Sequence, residues 1–422
     1  MIKINNKKFI LFAGLLILGL SYNIAATVNK SRSSTPRYSS PSPKVIEIKT
    51  WTGPESSQIA FYFQGRVNYN VTDLPENKGF VLYTSNAPVN GGQQSYNVKD
   101  GVIDRIDAKN SSSGCRITVT FMEPTDYKLS PDYAGRDYPV IEIIRPLNLR
   151  PPRPTPQQIA ELKKDHKIVL IDPGHGGWHS GAGRNGLLEK YVTLQLALRL
   201  KDKIDRMPGY IAFITRDTGF NGGDYYVSLA RRREMAIEYG ADCFLSIHLN
   251  APGNNSRKDV RGTEIYYLAY GDASDAEAQE LANLENAADL EPGEENKKGD
   301  LIFDVLQDER LIALNNQNSL LAGLVMGQML QVDGLSNRGV KHARFTVLKN
   351  PVPSILVEVL FVTNQHEARL ISDPVFQRNV TQKMSDAITQ YFAINRGRPT
   401  SNGNGTDATS KTLTDVLSSS AD

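Results

Sequence analysis

The segment KIVLIDPGHGG, residues 167–177, is a short β-rich run followed by a glycine-rich turn. A second segment, CFLSIHLNA at residues 243–251, has the same design, because its β-rich run also ends in a histidine and a loop. Residues 191–204 between them have helical spacing, and residues 354–362 form a nearly continuous apolar run. Buried strands that alternate with helices predict an α/β domain with a mainly parallel sheet flanked by helices.

Two histidines, His175 and His248, lie where these two strands end. In open α/β sheets, ligands bind outside the carboxyl ends of the strands, so two imidazoles at this edge can share one cation, and zinc suits nitrogen ligands. A catalytic zinc usually has a third protein ligand, for which we expect Glu189, because a carboxylate is favoured at the start of a helix. The sequence therefore predicts one zinc ion per chain and no other cofactor.

The other four histidines do not share this pattern. A lone histidine is more often a core or surface residue than a metal ligand, so we interpret these four as surface residues or as neighbours of the ligands. They are His166, His179, His342 and His366.

Glu358 stands within the apolar run ILVEVLF, residues 355–361. Burying a carboxylate without a partner costs several kcal/mol, which indicates that this residue has a task. One interpretation is that it accepts a proton from water at a catalytic zinc and then delivers the proton to the leaving amine. The alternative is a structural ion pair with Arg216 or Arg344.

The chain begins with a segment typical of exported proteins. Residues 1–26 contain three lysines, an apolar run at residues 9–20 and a closing pair of alanines, which predicts a secretory signal peptide. The run is shorter than the roughly 20 residues that cross a bilayer, so an uncleaved anchor is the less favoured alternative. Residues 27–43 are rich in Ser and Pro and predict a disordered linker.

A second folded domain precedes the α/β domain. Short apolar alternations separated by turn residues recur over residues 44–146 and predict a small all-β sandwich. Residues 147–166 begin with a proline-rich stretch that predicts a stiff linker. Residues 167–394 then form the α/β domain, and residues 395–422, rich in Ser, Thr, Gly and Asn, predict a disordered tail.

The composition sets broad limits. With 422 residues, of which 40% are apolar, the chain is long enough for two folded domains. A formal net charge of +2 produces no strong basic field, so we expect no nucleic-acid partner. Cys115 and Cys243 lack the paired spacing of a thiolate zinc site or a disulfide framework, and their redox state stays open.

Four motifs together resemble those of a known family. They are DPGHGG with His175, NGLLEK with Glu189, FLSIHLNA with His248 and PSILVEVLFVTN with Glu358. In this order and spacing they strongly resemble the zinc-dependent N-acetylmuramoyl-L-alanine amidases of bacteria, over about residues 167–394. The resemblance implies that the two histidines and Glu189 bind zinc and that Glu358 is catalytic.

The implied reaction is hydrolysis of the amide between N-acetylmuramic acid and L-alanine of peptidoglycan, in cell separation and wall remodelling. Zinc lowers the pKa of its water to about 7, and Glu358 acts as general base and then as general acid. Peptidoglycan is the expected partner, the periplasm the expected location and a monomer the expected state. The alternatives are a zinc carboxypeptidase or endopeptidase that cuts the stem peptide, and a non-catalytic wall-binding protein.

The chain departs from the family pattern at two places. Residues 178–181, WHSG, replace a usual Lys-Asp-Pro-Gly-like segment, and Val359 and Leu360 replace the usual Thr-Gly. Neither change affects a predicted ligand, so the departures bear on the fit of the substrate more than on catalysis.

Two further segments resemble parts of such enzymes. Residues 44–146 resemble an AMIN domain, by their strand pattern and by the segment WTGP at residues 51–54, which implies peptidoglycan binding and targeting to the septum; a purely structural sandwich is the alternative. An insertion at about residues 272–330 begins with an acidic helical stretch, similar to the regulatory helix of cell-division amidases. This implies that Glu285 occupies the open position of the zinc until an activator with a LytM-type domain displaces the helix; a solvated acidic helix is the alternative.

Overall fold

The computed structural model describes residues 42–65, 67–130, 138–252, 259–268, 272–287 and 309–395. The predicted signal peptide, residues 27–41 of the predicted linker and residues 396–422 of the predicted tail lie outside this part of the chain. No helix in the described part is long and apolar enough to cross a membrane.

The region before the α/β domain consists of antiparallel strands. They are β1 (Lys44–Thr52), β2 (Ser56–Gln64), β3 (Asn68–Asp73), β4 (Gly79–Ser85), β5 (Gln93–Asn97), β6 (Ile103–Ser111), β7 (Gly114–Phe121), β8 (Tyr127–Ser130) and β9 (Val140–Ile144). One sheet has the order β1-β2-β9-β8, and the other has the order β3-β4-β7-β6-β5.

The two sheets share one core. Ile59 and Ile141 of the first sheet lie in the same hydrophobic cluster as Leu82, Ile117 and Val119 of the second, and all five are fully buried. Because successive strand residues point to opposite faces, the apolar alternation of β7 places the apolar side chains of this strand in the core. Two sheets packed face to face in this way form a β sandwich.

The α/β domain has a six-stranded mixed sheet. Its strands are β10 (Lys167–Pro173), β13 (Tyr210–Ile214), β14 (Cys243–Asn250), β15 (Thr263–Tyr267), β16 (Asn337–His342) and β17 (Ser354–Phe361), and a small hairpin consists of β11 (Gly183–Arg184) and β12 (Leu187–Leu188). The order of the sheet is β13-β10-β14-β17-β15-β16. The β15–β17 pair is antiparallel and the other pairs of this sheet are parallel, so the sheet is mainly parallel, as the continuous apolar runs predict.

Helices cover both faces of this sheet. They are α1 (Pro156–Asp165), α2 (Glu189–Asp205), α3 (Leu229–Glu238), α4 (Ala276–Asn286), α5 (Glu309–Met329), α6 (Gln365–Ser372) and α7 (Pro374–Asn395). Helices α2, α5 and α7 contribute to the core on one face, where Leu196 and Val380 are fully buried. Helices α1, α3 and α4 contribute to the core on the other face, where Leu162, Met235 and Ala278 are buried.

The predicted linker of residues 147–166 is helical in its second half. The Thr155 hydroxyl accepts a hydrogen bond from the Gln158 N–H, and the Gln158 side-chain oxygen accepts one from the Thr155 N–H, so a capping box begins α1 at Pro156. Ile159 and Leu162 of this helix are buried in the core of the α/β domain. Proline is favoured at the first helical position as well as in linkers, and for this reason the prolines did not mark where the linker ends.

Candidate metal centre

Three buried side chains from three different elements meet at one edge of the sheet. His175 follows β10, His248 lies in β14, and Glu189 is the first residue of α2. Strands β10 and β14 are parallel neighbours, so their carboxyl ends lie side by side. The structure thus brings together the three residues that the sequence predicts as zinc ligands.

The potential ligand atoms of these residues converge. Glu189 Oε1 lies 3.0 Å from His175 Nε2 and 3.0 Å from His248 Nδ1, and the three atoms lie within 4.8 Å of one another. The same oxygen accepts a hydrogen bond of 2.8 Å from the Leu249 N–H, and Oε2 accepts one of 2.7 Å from the Ala182 N–H. Backbone donors therefore fix the orientation of the Glu189 carboxylate.

This donor set fits a zinc ion. His175 Nε2 is buried and faces Glu189 Oε1 at 3.0 Å, but it forms no hydrogen bond of normal geometry with any residue that the structure describes, which is unusual for a polar atom that has no other task. A tetrahedral ion with ligands at about 2.0–2.1 Å separates neighbouring ligand atoms by about 3.3 Å, close to the two separations of 3.0 Å in this cluster. Two imidazoles and one carboxylate, with a fourth position open, are the ligands of many catalytic zinc sites.

The charges of the cluster also favour a bound cation. Burial alone would raise the pKa of Glu189, but His175 and His248 hold this pKa well below its usual range. Burial alone would lower the pKa of His248, but the carboxylates of Glu285 and Glu189 raise it to about 10. The carboxylates therefore retain a positive charge beside them, which is a proton in the metal-free protein or a metal ion that displaces the proton.

Two buried arginines hold the loop that carries His175. Arg232 donates a hydrogen bond of 2.8 Å to the His175 carbonyl and forms an ion pair of 2.6 Å with Asp172. Arg216 donates a hydrogen bond of 3.2 Å to the Gly174 carbonyl. Because the loop is buried, these charged donors replace the water that would otherwise satisfy its backbone.

Glycine is required at two positions of this loop. Gly176 has a φ of +131°, and a Cβ atom there would collide with the Tyr225 carbonyl. A Cβ atom at Gly174 would collide with the His248 ring. The glycines of the motif therefore allow the backbone to bend sharply and the two ligand-bearing segments to approach each other.

Arg232→Met is expected to lower the free energy of unfolding by about 3–5 kcal/mol, because the buried Asp172 loses its ionic partner. The uncharged hydroxyls of Thr215 and Ser246 would remain its partners. Urea unfolding at pH 7 measures the effect. Arg206→Met is the control, since the Arg206 side chain is 76% exposed and its loss is expected to change stability by less than about 0.5 kcal/mol. Equal losses in the two variants would contradict the role given to Arg232.

Glu358 lies on the strand next to His248. The two residues are Cα partners in the parallel pair of β14 and β17, and partners in a sheet point to the same face. Glu358 is 1% exposed, and no residue in the described part of the chain forms a hydrogen bond with its Oε2. Arg216 instead donates to backbone carbonyls, and in the described part of the chain neither Arg216 nor Arg344 forms an ion pair with Glu358.

The surroundings of Glu358 favour its protonated form. Burial raises the pKa of its carboxyl group well above the usual range, and His248 opposes this shift. The nearby carboxylates of Glu189, Glu285 and Glu264 raise the pKa further. A carboxyl group with a raised pKa beside a candidate metal centre is suited to proton transfer.

Helix α4 brings another carboxylate to the cluster. Glu285 Oε2 lies 3.8 Å from His175 Nε2 and 3.6 Å from His248 Nδ1. Glu285 and Asn286 line the cavity beside the histidines, whose volume of about 20 Å³ suffices for a single water molecule. Ligand pockets usually have volumes of about 300–1,000 Å³, so the cavity that the described residues form here is much smaller than a usual ligand pocket.

Comparison with known proteins identifies the family. A family model described as N-acetylmuramoyl-L-alanine amidase matches residues 169–390, which is more than half of the chain. The chain belongs to this amidase family. The amidase is therefore a hydrolase of the amide bond between N-acetylmuramic acid and L-alanine.

Individual relatives carry the same name. N-acetylmuramoyl-L-alanine amidase AmiA of Escherichia coli is 36% identical over 234 residues, which cover 54% of this amidase and 76% of AmiA. AmiC of Escherichia coli is 34% identical over 247 residues, which cover 58% of this amidase and 57% of AmiC. Among solved structures, AmiC2 of Nostoc punctiforme is 30% identical with a TM-score of 0.39, and the match covers 54% of this amidase and 97% of that chain.

Sequence reasoning missed several charged residues around the centre of the amidase. Asp172 and Arg232 form the ion pair beneath the loop, and the buried Glu264 accepts hydrogen bonds of 2.9 Å from both Arg338 and Lys341. Asp172 and Glu264 each stand at or within a strand of mostly apolar residues. A carboxylate among apolar strand residues is the pattern that indicated Glu358, and Asp172 and Glu264 show the same pattern. The sequence does not show, however, which cation lies beside each carboxylate.

Proposed function

We propose that this amidase is a periplasmic zinc enzyme in which His175, Glu189 and His248 hold one zinc ion. The observation that carries the proposal is the convergence of His175 Nε2, Glu189 Oε1 and His248 Nδ1 in a buried cluster. Zinc, when bound, polarises the scissile carbonyl and lowers the pKa of water at the site. A set of three protein ligands is typical of catalytic zinc, whereas structural zinc usually has four.

Glu358 is proposed to move the proton in this reaction. Its carboxylate accepts a proton from the attacking water, whose oxygen bonds to the amide carbon, and it then donates the proton to the L-alanine nitrogen as the C–N bond breaks. The position next to His248 supports this role, and so does the lack of a hydrogen-bond partner for Glu358 Oε2 among the residues that the structure describes. No serine or cysteine nucleophile is needed.

Digestion of purified cell wall, together with metal analysis, tests the proposal. We expect one zinc per chain and release of intact stem peptides with a free amino group on L-alanine. Removal of zinc with a chelator should abolish this release, and added zinc should restore it. A zinc carboxypeptidase or endopeptidase would release D-alanine or partial stem peptides, which mass spectrometry distinguishes, and a non-catalytic wall-binding protein would release nothing.

Helix α4 is proposed to inhibit the resting enzyme. Glu285 faces both histidines of the cluster, where a carboxylate is able to take the fourth position of a zinc ion. Asp275, the N-cap of α4, pairs with Lys341 at 3.1 Å, and Asn286 at the other end donates a hydrogen bond of 2.8 Å to a backbone carbonyl. These contacts hold the helix at both ends, and an activator with a LytM-type domain is proposed to displace it.

Glu285→Ala is expected to raise the rate of wall hydrolysis without an activator by about tenfold or more. Open forms of inhibited proteins are commonly populated at about 0.1–10%, so loss of the inhibitory contact gives a gain of this order. Release of dye from labelled cell wall measures the rate. Glu280→Ala is the control, because Glu280 is exposed on the same helix. Equal rates for the two variants would show that Glu285 does not inhibit the enzyme.

The β sandwich is proposed to be an AMIN-like domain that binds peptidoglycan and brings the enzyme to the septum, where it acts as a monomer in cell separation and wall remodelling. The two-sheet core supports this proposal, together with the resemblance of its strand pattern. Export by residues 1–26 is part of the same proposal. Sedimentation with purified wall, compared between the full chain and a chain without residues 44–146, tests the binding role.

A further inference from the structure

The segment after His175 folds back as a closed turn. The Gly176 N–H donates a hydrogen bond of 2.9 Å to the His179 carbonyl, and the His179 N–H donates one of 3.0 Å to the Gly176 carbonyl. The turn brings the imidazole rings of His175 and His179 together, with 4.5 Å between their centroids and 2.9 Å between their Nδ1 atoms. His179 thus contacts the nitrogen of His175 that does not face the ligand cluster.

This contact fixes the direction of the His175 ring. An imidazole that offers the Nε2 lone pair to a metal carries its hydrogen on Nδ1, and metal-ligating histidines usually donate this hydrogen to a fixed acceptor. Among the described residues, His179 Nδ1 lies within hydrogen-bond distance of this nitrogen, at 2.9 Å, and is able to accept the hydrogen. We propose that His179 is a positioning residue for His175, and that the N-terminal β sandwich holds His179 in place through Trp178.

Trp178, the neighbour of His179 in the turn, is packed against the β sandwich. Its side chain is 6% exposed and belongs to one hydrophobic cluster with Trp51, Ala60 and Val140 of strands β1, β2 and β9. Trp178 lies in the α/β domain, so this cluster crosses the boundary between the two domains. The sandwich therefore covers the outer side of the turn whose inner side contacts His175.

The turn and the sandwich also meet at a second point. A Cβ atom at Gly177 would lie 3.1 Å from Gln58 Oε1, so the β2 side chain approaches the backbone of the turn closely. Further along the boundary, Glu55 accepts a hydrogen bond of 2.7 Å from Arg231 of α3. The sandwich thus contacts the α/β domain at Trp178, at Gly177 and at Arg231, so a shift of the sandwich would move Trp178.

Zinc affinity of the full-length protein, measured by competition with a chromophoric chelator, tests whether His179 positions His175. His179→Ala is expected to weaken zinc binding by about 10- to 100-fold, the usual effect of losing a partner of a metal-ligating histidine. His179→Asn is expected to restore affinity to within about threefold, because its side-chain oxygen lies where the Nδ1 acceptor was. His366→Ala is the control, since His366 is exposed. Unchanged affinity in His179→Ala, or equal losses in the Ala and Asn variants, would overturn the role of His179.

Substitutions in the sandwich test whether this domain holds His179 in place through Trp178. No side chain of the sandwich is proposed to bind the metal. Trp51→Ala and the milder Val140→Ala are both expected to weaken zinc binding by at least about threefold and to alter the visible spectrum of the Co²⁺-substituted protein. Tyr83→Ala is the control, because Tyr83 lies on β4 and is 42% exposed. If both cluster variants fold and bind zinc as the control does, the link to the sandwich is wrong.

The inference rests on the proposed metal site, and the experiments distinguish a failure of the inference from a failure of that site. A wild-type chain that binds no zinc would overturn the proposed function itself. A wild-type chain that binds zinc, together with variants of unchanged affinity, would overturn the positioning role alone. The Asn rescue separates positioning from a general loss of folding, since a misfolded turn would not regain affinity.

Discussion

Glu358→Gln is expected to lower the kcat of wall hydrolysis by about 10²- to 10⁴-fold while the protein keeps its zinc. The amide has nearly the same shape as the carboxylate but does not accept a proton from water. Glu358 is not one of the three converging ligands, so metal binding should persist. The measurements are dye release from labelled wall and zinc content after dialysis. Loss of zinc in this variant would contradict the separation of the base from the metal ligands.

The same substitution is expected to stabilise the metal-free protein at neutral pH. Burial raises the pKa of Glu358 in the folded state above its unfolded value, so above the unfolded pKa the folded state binds more protons than the unfolded state. Stability then falls as pH rises through this range. The Tm of Glu358→Gln should exceed that of the wild type. The difference should be small below the unfolded pKa of glutamate and should grow as the pH rises towards 7. Parallel curves of Tm against pH for the two proteins would show that Glu358 has an ordinary pKa.

His175→Ala is expected to abolish both zinc binding and hydrolysis. The substitution removes one of the three converging ligand atoms and leaves only His248 Nδ1 and Glu189 Oε1. The loss of affinity should exceed the 10- to 100-fold expected for a neighbouring residue such as His179. Zinc content and wall digestion, measured on the same preparation, check the result.

The control for His175→Ala is His366→Ala, because His366 is exposed on α6 and lies outside the cluster. This variant should keep zinc and full activity. Full zinc and full activity in His175→Ala would show that the metal lies elsewhere. Zinc lost in His175→Ala and kept in Glu358→Gln is the pattern that assigns the two residues to different roles.

The residues that converge at the centre were predictable because the chain marks their positions locally. His175 and His248 each follow a short β-rich run, and parallel strands place their carboxyl ends at one edge. Glu189 stands at a helix start, and Glu358 stands out as a lone carboxylate in an apolar strand. In each case the decisive pattern extends over fewer than ten residues.

Strands without such a pattern are not evident from the sequence. The sequences NYNVTD of β3 and QQSYN of β5 are polar, and the structure places both strands at the edges of the second sheet. Their residues alternate between exposed and half-buried, so they bury too little apolar surface to show a strong alternation. Backbone pairing with β4 and β6, which have buried residues, forms these strands instead.

By itself, the sequence determined the α/β class, the strand ends that carry the two histidines, and the isolated acidic residue of the last strand, because backbone periodicity and burial act over short stretches of chain. Only the tertiary structure decided that Arg232 pairs with Asp172, that Glu285 faces the histidines, and that Trp178 packs against the N-terminal sandwich. These contacts join residues that are far apart in the chain, so they depend on how whole elements pack rather than on any local pattern.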